Sequence, residues 1–325
     1  MNRLFDKTFW GLTIGFVALL VLNFLLADWM RNLGLQSLSR GTVAIGLLIL
    51  WRTGLISFGH ALFFGTGAYT VTLMQAIGLN DILLLAVGGT LLSGLLAYVL
   101  GFLLRQYRAI FFALLNLAFS MILYGVLAKI EALGSTDGIG IQPTGFLGFH
   151  PEGESYRVTL FVFALLFAYV SAVGAHWYLK STLGMMTMAV RENEIRVEYL
   201  GYSAERAIHY KYVISGVLAG LGGVVMALTI GHVDPDSMVY WSVSGDFVFI
   251  TILAGTGNVG ATFIGALVYE LLRTYAFEYA PNIWQLILGG SLLLIIMFLP
   301  DGLWSIGKEW RKRRGRSASR NEAAE

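Results

Sequence analysis

The chain has 325 residues, of which 57% are hydrophobic and only 13% are charged, and its mean hydropathy is +0.71. An average soluble domain carries about 25% charged residues, so this composition argues against a soluble globular protein. The net charge of +2 gives no reason to expect a nucleic-acid partner. The absence of cysteine excludes a disulfide framework and a thiolate metal site.

Long uncharged segments indicate where the chain crosses a membrane. Six runs contain no Asp, Glu, Lys or Arg and reach the ~20 residues that cross ~30 Å of hydrocarbon as a helix. They are Thr8–Ala27, Ile82–Leu104, Ala109–Ala128, Val158–Leu179, Tyr212–Val233 and Phe247–Tyr269. One such run could be a buried helix, whereas six indicate an all-α integral membrane protein. The first run is too long for a signal peptide and lacks a cleavage site, so it is expected to remain as the first helix.

The distribution of Lys and Arg sets the expected orientation of the loops. Residues 308–325 form a strongly basic tail and the stretch Lys180–Lys211 carries five basic residues, so both, with the coupling segment 181–211, are predicted to be cytoplasmic. The N-terminus is also basic and is assigned to the same side. The segment 129–157, which contains glycines and acids, is predicted to be an external loop of a transmembrane domain that covers residues 1–307.

A count of the crossings predicts one discontinuous pair of helices. Eight full helices are expected at about 8–27, 35–51, 59–79, 82–104, 109–128, 158–179, 212–233 and 283–299. If Phe247–Tyr269 were one further span, the basic tail would lie outside, against the charge rule. A break at Gly255–Gly260 removes the conflict, because 247–254 then enters the membrane and 261–276 leaves it as a re-entrant pair. This gives about ten membrane segments, both termini in the cytoplasm, and the glycines at membrane depth.

The broken segment, "LAGTGNVGATF", contains the G-x-G-x-x-G of a dinucleotide-binding fingerprint. That interpretation fails because no soluble strand–helix–strand unit surrounds it. A second segment interrupted by glycines, "RTGLISFGHALFFGTGAYT", occurs early in the chain. Paired interruptions are typical of a transport path built from internal repeats, and two unrelated glycine kinks are the alternative. The candidate path residues are Ser57, Gly59, His60, Gly65, Gly67, Gly255, Thr256, Gly257 and Asn258.

The inner segment 181–211 has the features of an amphipathic helix. Ser181 can cap a helix that ends at Gly201, and Ser203 can cap the next one. Glu192 and Arg196 have the spacing of a favourable i,i+4 pair. Because its polar face mixes acids and bases, the helix suits a protein partner better than lipid headgroups, which are the alternative. Its apolar face is formed by Met185, Met188, Ile195 and Tyr199.

Single charged residues near the spans leave further alternatives open. Arg40 and Arg52 bracket a short apolar run. One of them could lie deep and meet an anionic substrate, but both are expected to extend to the membrane interfaces. His60 is expected to be a packed, hydrogen-bonded residue rather than a proton relay. The uncharged spans offer no acid for ion coupling and no buried charge that would bind a zwitterion.

Several segments together resemble branched-chain amino-acid ABC transporter permeases. In chain order they are "SFGHALFFGTGAY", "AIFFALLNLAF", "AVRENEIRVEYLG", "GVLAGLGGVV", "LAGTGNVGATFIGA" and "FLPDGLW", within about residues 40–305. Asn116 stands where the family usually has Thr, and Glu198 replaces a small residue. The resemblance implies the ABC importer permease fold and a coupling segment that docks on an ATPase. It assigns this coupling to Arg191, Glu192, Asn193, Glu194 and Gly201.

The resemblance also implies the partners. They are a second homologous permease subunit, two ATP-binding subunits and an extracytoplasmic substrate-binding protein, in addition to membrane lipid. The chain itself has no nucleotide site, because Glu309 follows the G-x-x-x-x-G-K of "GLWSIGK" where a P-loop needs Ser or Thr. ATP and Mg²⁺ are therefore expected on partner subunits, and no cofactor, metal site or catalytic residue is expected here.

The expected function is that of a permease subunit of an ATP-driven importer for branched-chain or related amino acids in a bacterial-type inner membrane. A urea or short-amide importer permease is the nearest alternative. An ion-coupled secondary transporter is a second class, and a membrane-embedded enzyme is a third that lacks a catalytic cluster.

Overall fold

The structure, a computed structural model, describes residues 5–299 and 302–305. The basic tail 308–325 lies outside the described residues. The described helices are α1 (Lys7–Leu22), α2 (Asp28–Trp51), α3 (His60–Ala76), α4 (Ile82–Leu104), α5 (Ala109–Leu127), α6 (Glu154–Lys180), α7 (Thr182–Glu192), α8 (Glu194–Tyr199), α9 (Ala204–Ile230), α10 (Pro235–Met238), α11 (Trp241–Ala254), α12 (Ala261–Tyr279) and α13 (Trp284–Phe298). A 3-10 turn (Glu131–Leu133) and two short strands, β1 (Ile139–Gly140) and β2 (His232–Val233), complete the fold.

The architecture is an all-α membrane bundle, as predicted. By length and composition, six candidate spans are found among the described helices. They are α2, α4, α5, α6, α9 and the combined segment Pro235–Ala254. The count of ten membrane segments stays a prediction.

Helix α9 lies at the centre of the bundle and packs against α2, α3 and α4. Glycines permit the close approach, as is usual for helices in lipid. A methyl group at Gly67 of α3 would lie 2.0 Å from the carbonyl oxygen of Gly220 in α9. A methyl group at Gly223 would lie 1.9 Å from the carbonyl oxygen of Phe64. The glycines of α3 and α9 therefore bring the two backbones into contact.

The two ends of the bundle differ. At one end, called here the sheet end, β1 pairs with β2 in antiparallel register, with Ile139 opposite Val233. This contact ties the loop 129–157 to the end of α9. The opposite end carries α7 and α8 and is called the α7–α8 end. There Lys180 Nζ donates to Asp6 Oδ2 at 2.5 Å, which joins the end of α6 to the start of α1.

Helix α2 begins earlier than predicted, at Asp28 instead of about residue 35. The polar residues that suggested a loop are satisfied inside the structure. The buried Arg31 guanidinium donates to the carbonyl oxygens of Asn23 and Leu26 and contacts Asp28 at 2.6 Å. Because these contacts offset the cost of burying the cation, the helix extends two turns further toward the sheet end.

The predicted break at Gly255–Gly260 is confirmed as the turn between α11 and α12. Gly255 has a φ of +78°, a conformation that glycine adopts without a Cβ penalty. Both helices are longer than the expected pieces 247–254 and 261–276. The turn lies beside helix ends at the α7–α8 end: Arg52 Nη2 donates to the Thr256 carbonyl at 2.9 Å, and Asn258 Nδ2 lies 3.4 Å from Thr8 Oγ1. The break is thus the turn of a helical hairpin, and its depth in the membrane stays a prediction.

Candidate functional site

The predicted coupling helix is two helices. Ser181 caps α7, accepting from the Gly184 amide at 3.2 Å, as its position predicted. Asn193 then ends α7 and caps α8, because its Oδ1 accepts from the Arg196 amide at 2.9 Å. Asparagine side chains compete with the helical backbone in this way. Gly201, with φ +83°, follows α8.

The break also separates Glu192 and Arg196, which stand in different helices. Within the described residues no ion pair joins them, so the expected i,i+4 pair is wrong. Both side chains are exposed to solvent.

The apolar residues predicted for one face remain exposed. Met185 is 58% exposed, Met188 60%, Ile195 64% and Tyr199 87%. These four residues are called the α7–α8 apolar surface. On the opposite side, Val190 and Val197 pack into a small buried cluster with Ala204. The segment therefore has two apolar sides. The side with Val190 and Val197 is packed, whereas the α7–α8 apolar surface is uncovered in the described chain.

One ion pair and one packing contact fix α7 and α8 to the bundle, and a neighbouring ion pair fixes the start of α9. Glu194 makes a bidentate pair with Arg108 in the loop between α4 and α5, with Arg108 Nε donating at 2.9 Å. Arg105 of the same loop pairs with Glu205 of α9 at 3.3 Å. The Arg191 side chain lies against Gly54 in the loop between α2 and α3.

The predicted coupling residues therefore divide into two groups. Arg191 and Glu194 contact the chain's own loops, whereas Glu192 is exposed. Arg108 was treated in the sequence only as a sign of an inner loop, and its pairing with Glu194 was not predicted. The spacing of the two residues along the chain gave no signal for it.

Among the candidate path residues, Ser57, Gly59 and His60 lie together inside the bundle. His60 Nδ1 is 3.0 Å from Ser57 Oγ, and His60 Nε2 is hydrogen-bonded to Ser215 Oγ of α9. His60 is fully buried, so it is the packed, hydrogen-bonded residue that was expected. The first turn of α3 is completed by Ser244, which accepts from the Ala61 amide at 2.9 Å. Helix α3 therefore begins inside the protein, with the Ala61 amide, one of the orphan donors of its first turn, satisfied by a side chain.

Gly65 and Gly67 serve helix packing. A methyl group at Gly65 would lie 2.2 Å from Val239 Cγ2, and Gly67 touches the α9 backbone as described above. Both glycines are buried in the described chain, and their place on a transport path stays a prediction. The other four candidates, Gly255, Thr256, Gly257 and Asn258, form the turn at the α7–α8 end. The structure thus separates the two glycine-rich segments, with Arg52 the residue that reaches from the end of α2 to the turn.

A buried charged cluster was missed in the sequence. Arg40 is only 7% exposed, and its Nε lies 2.7 Å from Glu270 Oε1 while its Nη1 lies 3.2 Å from Asp246 Oδ2. Its guanidinium also stands over the Tyr269 ring, 5.4 Å from the centroid. The expectation that Arg40 extends to a membrane interface is wrong. Asp246 and Glu270 border the uncharged run Phe247–Tyr269 on its two sides, and the hairpin turn brings them to the same cation.

An open cavity adjoins this cluster. It has a volume of about 560 Å³ and lies between α2, α9, α11, α12 and α13. Arg40 and Glu270 lie on its wall, and Ile230 and Ser237 border it toward the sheet end. Ligand sites usually have volumes of about 300–1,000 Å³, so this cavity has the size of a small-molecule site.

The comparisons with known proteins agree on one family. The family described as "Branched-chain amino acid transport system / permease component" matches residues 30–297. The high-affinity branched-chain amino acid transport system permease protein LivM of Escherichia coli is 27% identical over 88% of this chain and 75% of its own. The probable branched-chain amino acid transport permease protein LivH of Methanocaldococcus jannaschii is 25% identical over 83% of this chain and 89% of its own.

A third relative carries a different substrate in its name. The nucleoside ABC transporter permease protein NupB of Lactococcus lactis is 37% identical over 30% of this chain and 27% of its own. No solved structure matches the chain. Since the family match extends over most of the sequence, this chain belongs to the family of branched-chain amino acid transport system permease components.

Proposed function

We propose that this chain is the permease subunit of an ATP-driven importer that moves branched-chain or related amino acids across a bacterial-type inner membrane. The observation that carries the proposal is the α7–α8 apolar surface. It is exposed, it belongs to a polar segment, and that segment is fixed by Glu194 and Arg191 to the chain's own loops. An apolar surface rigidly attached to the bundle suits a protein that must transmit movement to it.

The occupant of this surface is proposed to be an ATP-binding subunit, one of two in the assembly. A second homologous permease subunit and an extracytoplasmic substrate-binding protein complete it. Both termini and the α7–α8 end are assigned to the cytoplasm, and the sheet end faces outward. In this arrangement the sheet end and the loop 129–157 are available to the binding protein.

The substrate class rests on the family and on the relatives' names. Two of those relatives are named as branched-chain amino acid permeases, while the third is named for nucleoside transport. A urea or short-amide substrate is the alternative within the same class of importer.

An ion-coupled secondary transporter is favoured by one observation only. Asp246 and Glu270 lie in helices of the bundle, and buried acids are typical of ion coupling. Both acids, however, already lie beside the Arg40 cation. Neither acid therefore depends on an external cation as its counter-charge.

One experiment separates these functions. The tagged full-length chain is purified from its native membrane, and copurifying ATPase is measured. Uptake of labelled leucine is then followed in proteoliposomes, with ATP or with an imposed proton or sodium gradient. The proposal expects copurifying ATPase and leucine uptake that needs ATP. Uptake driven by an ion gradient without ATP, or uptake of urea instead of leucine, would overturn it.

A further inference from the structure

The cavity beside Arg40 combines charges of both signs with an apolar wall. Its apolar lining includes Phe64, Met226, Val243 and Phe247. Its charged lining consists of Arg40, Glu270, Arg273 and Glu278. A site of this composition matches a small molecule that carries both an anionic and a cationic group on an aliphatic body.

Glu270 is the buried acid on the cavity wall. When ionised, Asp246 and Glu270 contribute two negative charges beside Arg40, and a second cation, Arg273, lies on the same wall. Acids among membrane helices are tolerated where cationic groups face them. Glu270 is 3% exposed, and its Oε1 has no hydrogen bond among the described residues despite its 2.7 Å separation from Arg40 Nε. A ligand ammonium would supply a hydrogen-bond donor to this oxygen.

Arg273 offers the opposite charge on the same wall. It follows Glu270 by three residues on α12, which is about 4.5 Å along the helix axis. Its guanidinium lies 5.9 Å from the Trp284 ring centroid, and within the described part of the chain no carboxylate lies within 4.0 Å of it. A ligand carboxylate can therefore bind to Arg273 without displacing an ion pair.

We propose that this cavity binds the zwitterionic head of an aliphatic amino acid. The ammonium group lies against Glu270, the carboxylate against Arg273, and the side chain against Val243 and Phe247. The two head groups of an amino acid are attached to one carbon atom, so both must be met within a short distance, which one turn of α12 provides. This inference deepens the proposed function and rests on it for the direction of transport, but not for binding.

The test uses direct binding to the full-length protein in lipid nanodiscs, without the external binding protein. Three probes are compared: leucine, leucinamide, which lacks the carboxylate, and 4-methylpentanoate, which lacks the ammonium group. Arg273→Gln is expected to weaken leucine binding about 30-fold or more, equal to about 2 kcal/mol at about 1.4 kcal/mol per tenfold, and to leave leucinamide binding unchanged. Glu270→Gln is expected to weaken leucine binding similarly and to leave 4-methylpentanoate binding unchanged.

Two further variants keep the test decisive if Glu270→Gln disturbs the fold. Val243→Phe fills the apolar part of the cavity and is expected to abolish leucine binding with the charges intact. Arg157→Gln, outside the cavity, is the matched arginine control and is expected to bind leucine normally. Wild-type protein that fails to bind leucine, or Arg273→Gln and Val243→Phe variants that bind it normally, would overturn the inference. If those variants also support normal ATP-driven leucine uptake, the site is refuted and the proposed function stands. If the wild type shows no ATP-driven leucine uptake, the proposed function is refuted and the binding site is not.

Discussion

Met188→Asp is expected to release the ATP-binding partner without unfolding the permease. Met188 lies on the α7–α8 apolar surface and is 60% exposed in this chain. Full burial of a methionine side chain contributes about 1.5–3 kcal/mol, so covering its exposed part contributes about 1–2 kcal/mol. An unpaired carboxylate left in an interface costs about 2–5 kcal/mol. The sum of about 3 kcal/mol or more corresponds to a ~100-fold or greater loss of affinity.

The assay is copurification of the ATP-binding subunit with the tagged permease, together with ATP-dependent uptake. The thermal stability of the variant should remain at the wild-type value, because an exposed substitution usually changes stability by less than about 0.5 kcal/mol. Leu147→Asp is the matched control for copurification of the ATP-binding subunit, since Leu147 is 61% exposed but lies in the loop at the sheet end. A Met188→Asp protein that retains the partner and transports normally would refute the role given to this surface.

Three further predictions concern topology, packing and pH. Single cysteines at Asn282 and Tyr202 should differ, with only Asn282 labelled by an impermeant thiol reagent on intact cells; the reverse pattern would invert the orientation. Gly67→Ala should lower thermal stability by about 1–3 kcal/mol through overpacking against α9, whereas Gly174→Ala, where a methyl group meets nothing within 4 Å, should not lower it. Burial alone would raise the pKa of Asp6, but its hydrogen bonds and the nearby cations lower it from 3.8 to about 2. Its stabilising effect is therefore complete above about pH 4 and is lost as the pH falls toward 2. Asp6→Asn should reduce thermal stability at pH 7 and match the wild type near pH 2, and an equal deficit at both pH values would contradict this sign.

The features predicted best from the sequence were those with local causes. Uncharged runs located α4 and α5 to within one residue, because apolar length decides where a helix can cross a membrane. Ser181 and Ser203 marked helix starts, since their hydroxyls accept from backbone amides three residues later. The glycines at 255–260 marked a real break, because the chain needs a positive φ there.

The features missed depend on contacts distant in the chain. Arg40 and Glu270 are separated by most of the sequence, so no spacing rule connects them, and only the hairpin of α11 and α12 brings the acid to the cation. Arg31 was treated as part of a loop for a similar reason. A charged residue inside a membrane bundle becomes tolerable when specific partners surround it, and those partners are fixed by tertiary structure. The helix break at Asn193 was missed because two local hydrogen-bond patterns compete there. The helix can continue through Asn193, or the Asn193 side chain can end it by accepting from a backbone amide, as it does with Arg196.

The same distant contacts connect the coupling surface with the charged cavity. Helix α7 touches the loop after α2 where Arg191 lies against Gly54, and Arg52, two residues earlier, holds the turn between α11 and α12 through the Thr256 carbonyl. Helices α2, α11 and α12 are the three that carry Arg40, Asp246 and Glu270. A displacement of α7 can therefore reach the helices that form the cluster through this loop, in addition to α6 and α9, against which α7 also packs. Contact alone does not establish coupling, which requires an element with two arrangements. The cluster offers such an element where the proposed ammonium group binds, because Arg40 contacts both carboxylates here and an ammonium group at Glu270 would leave Asp246 as its main partner.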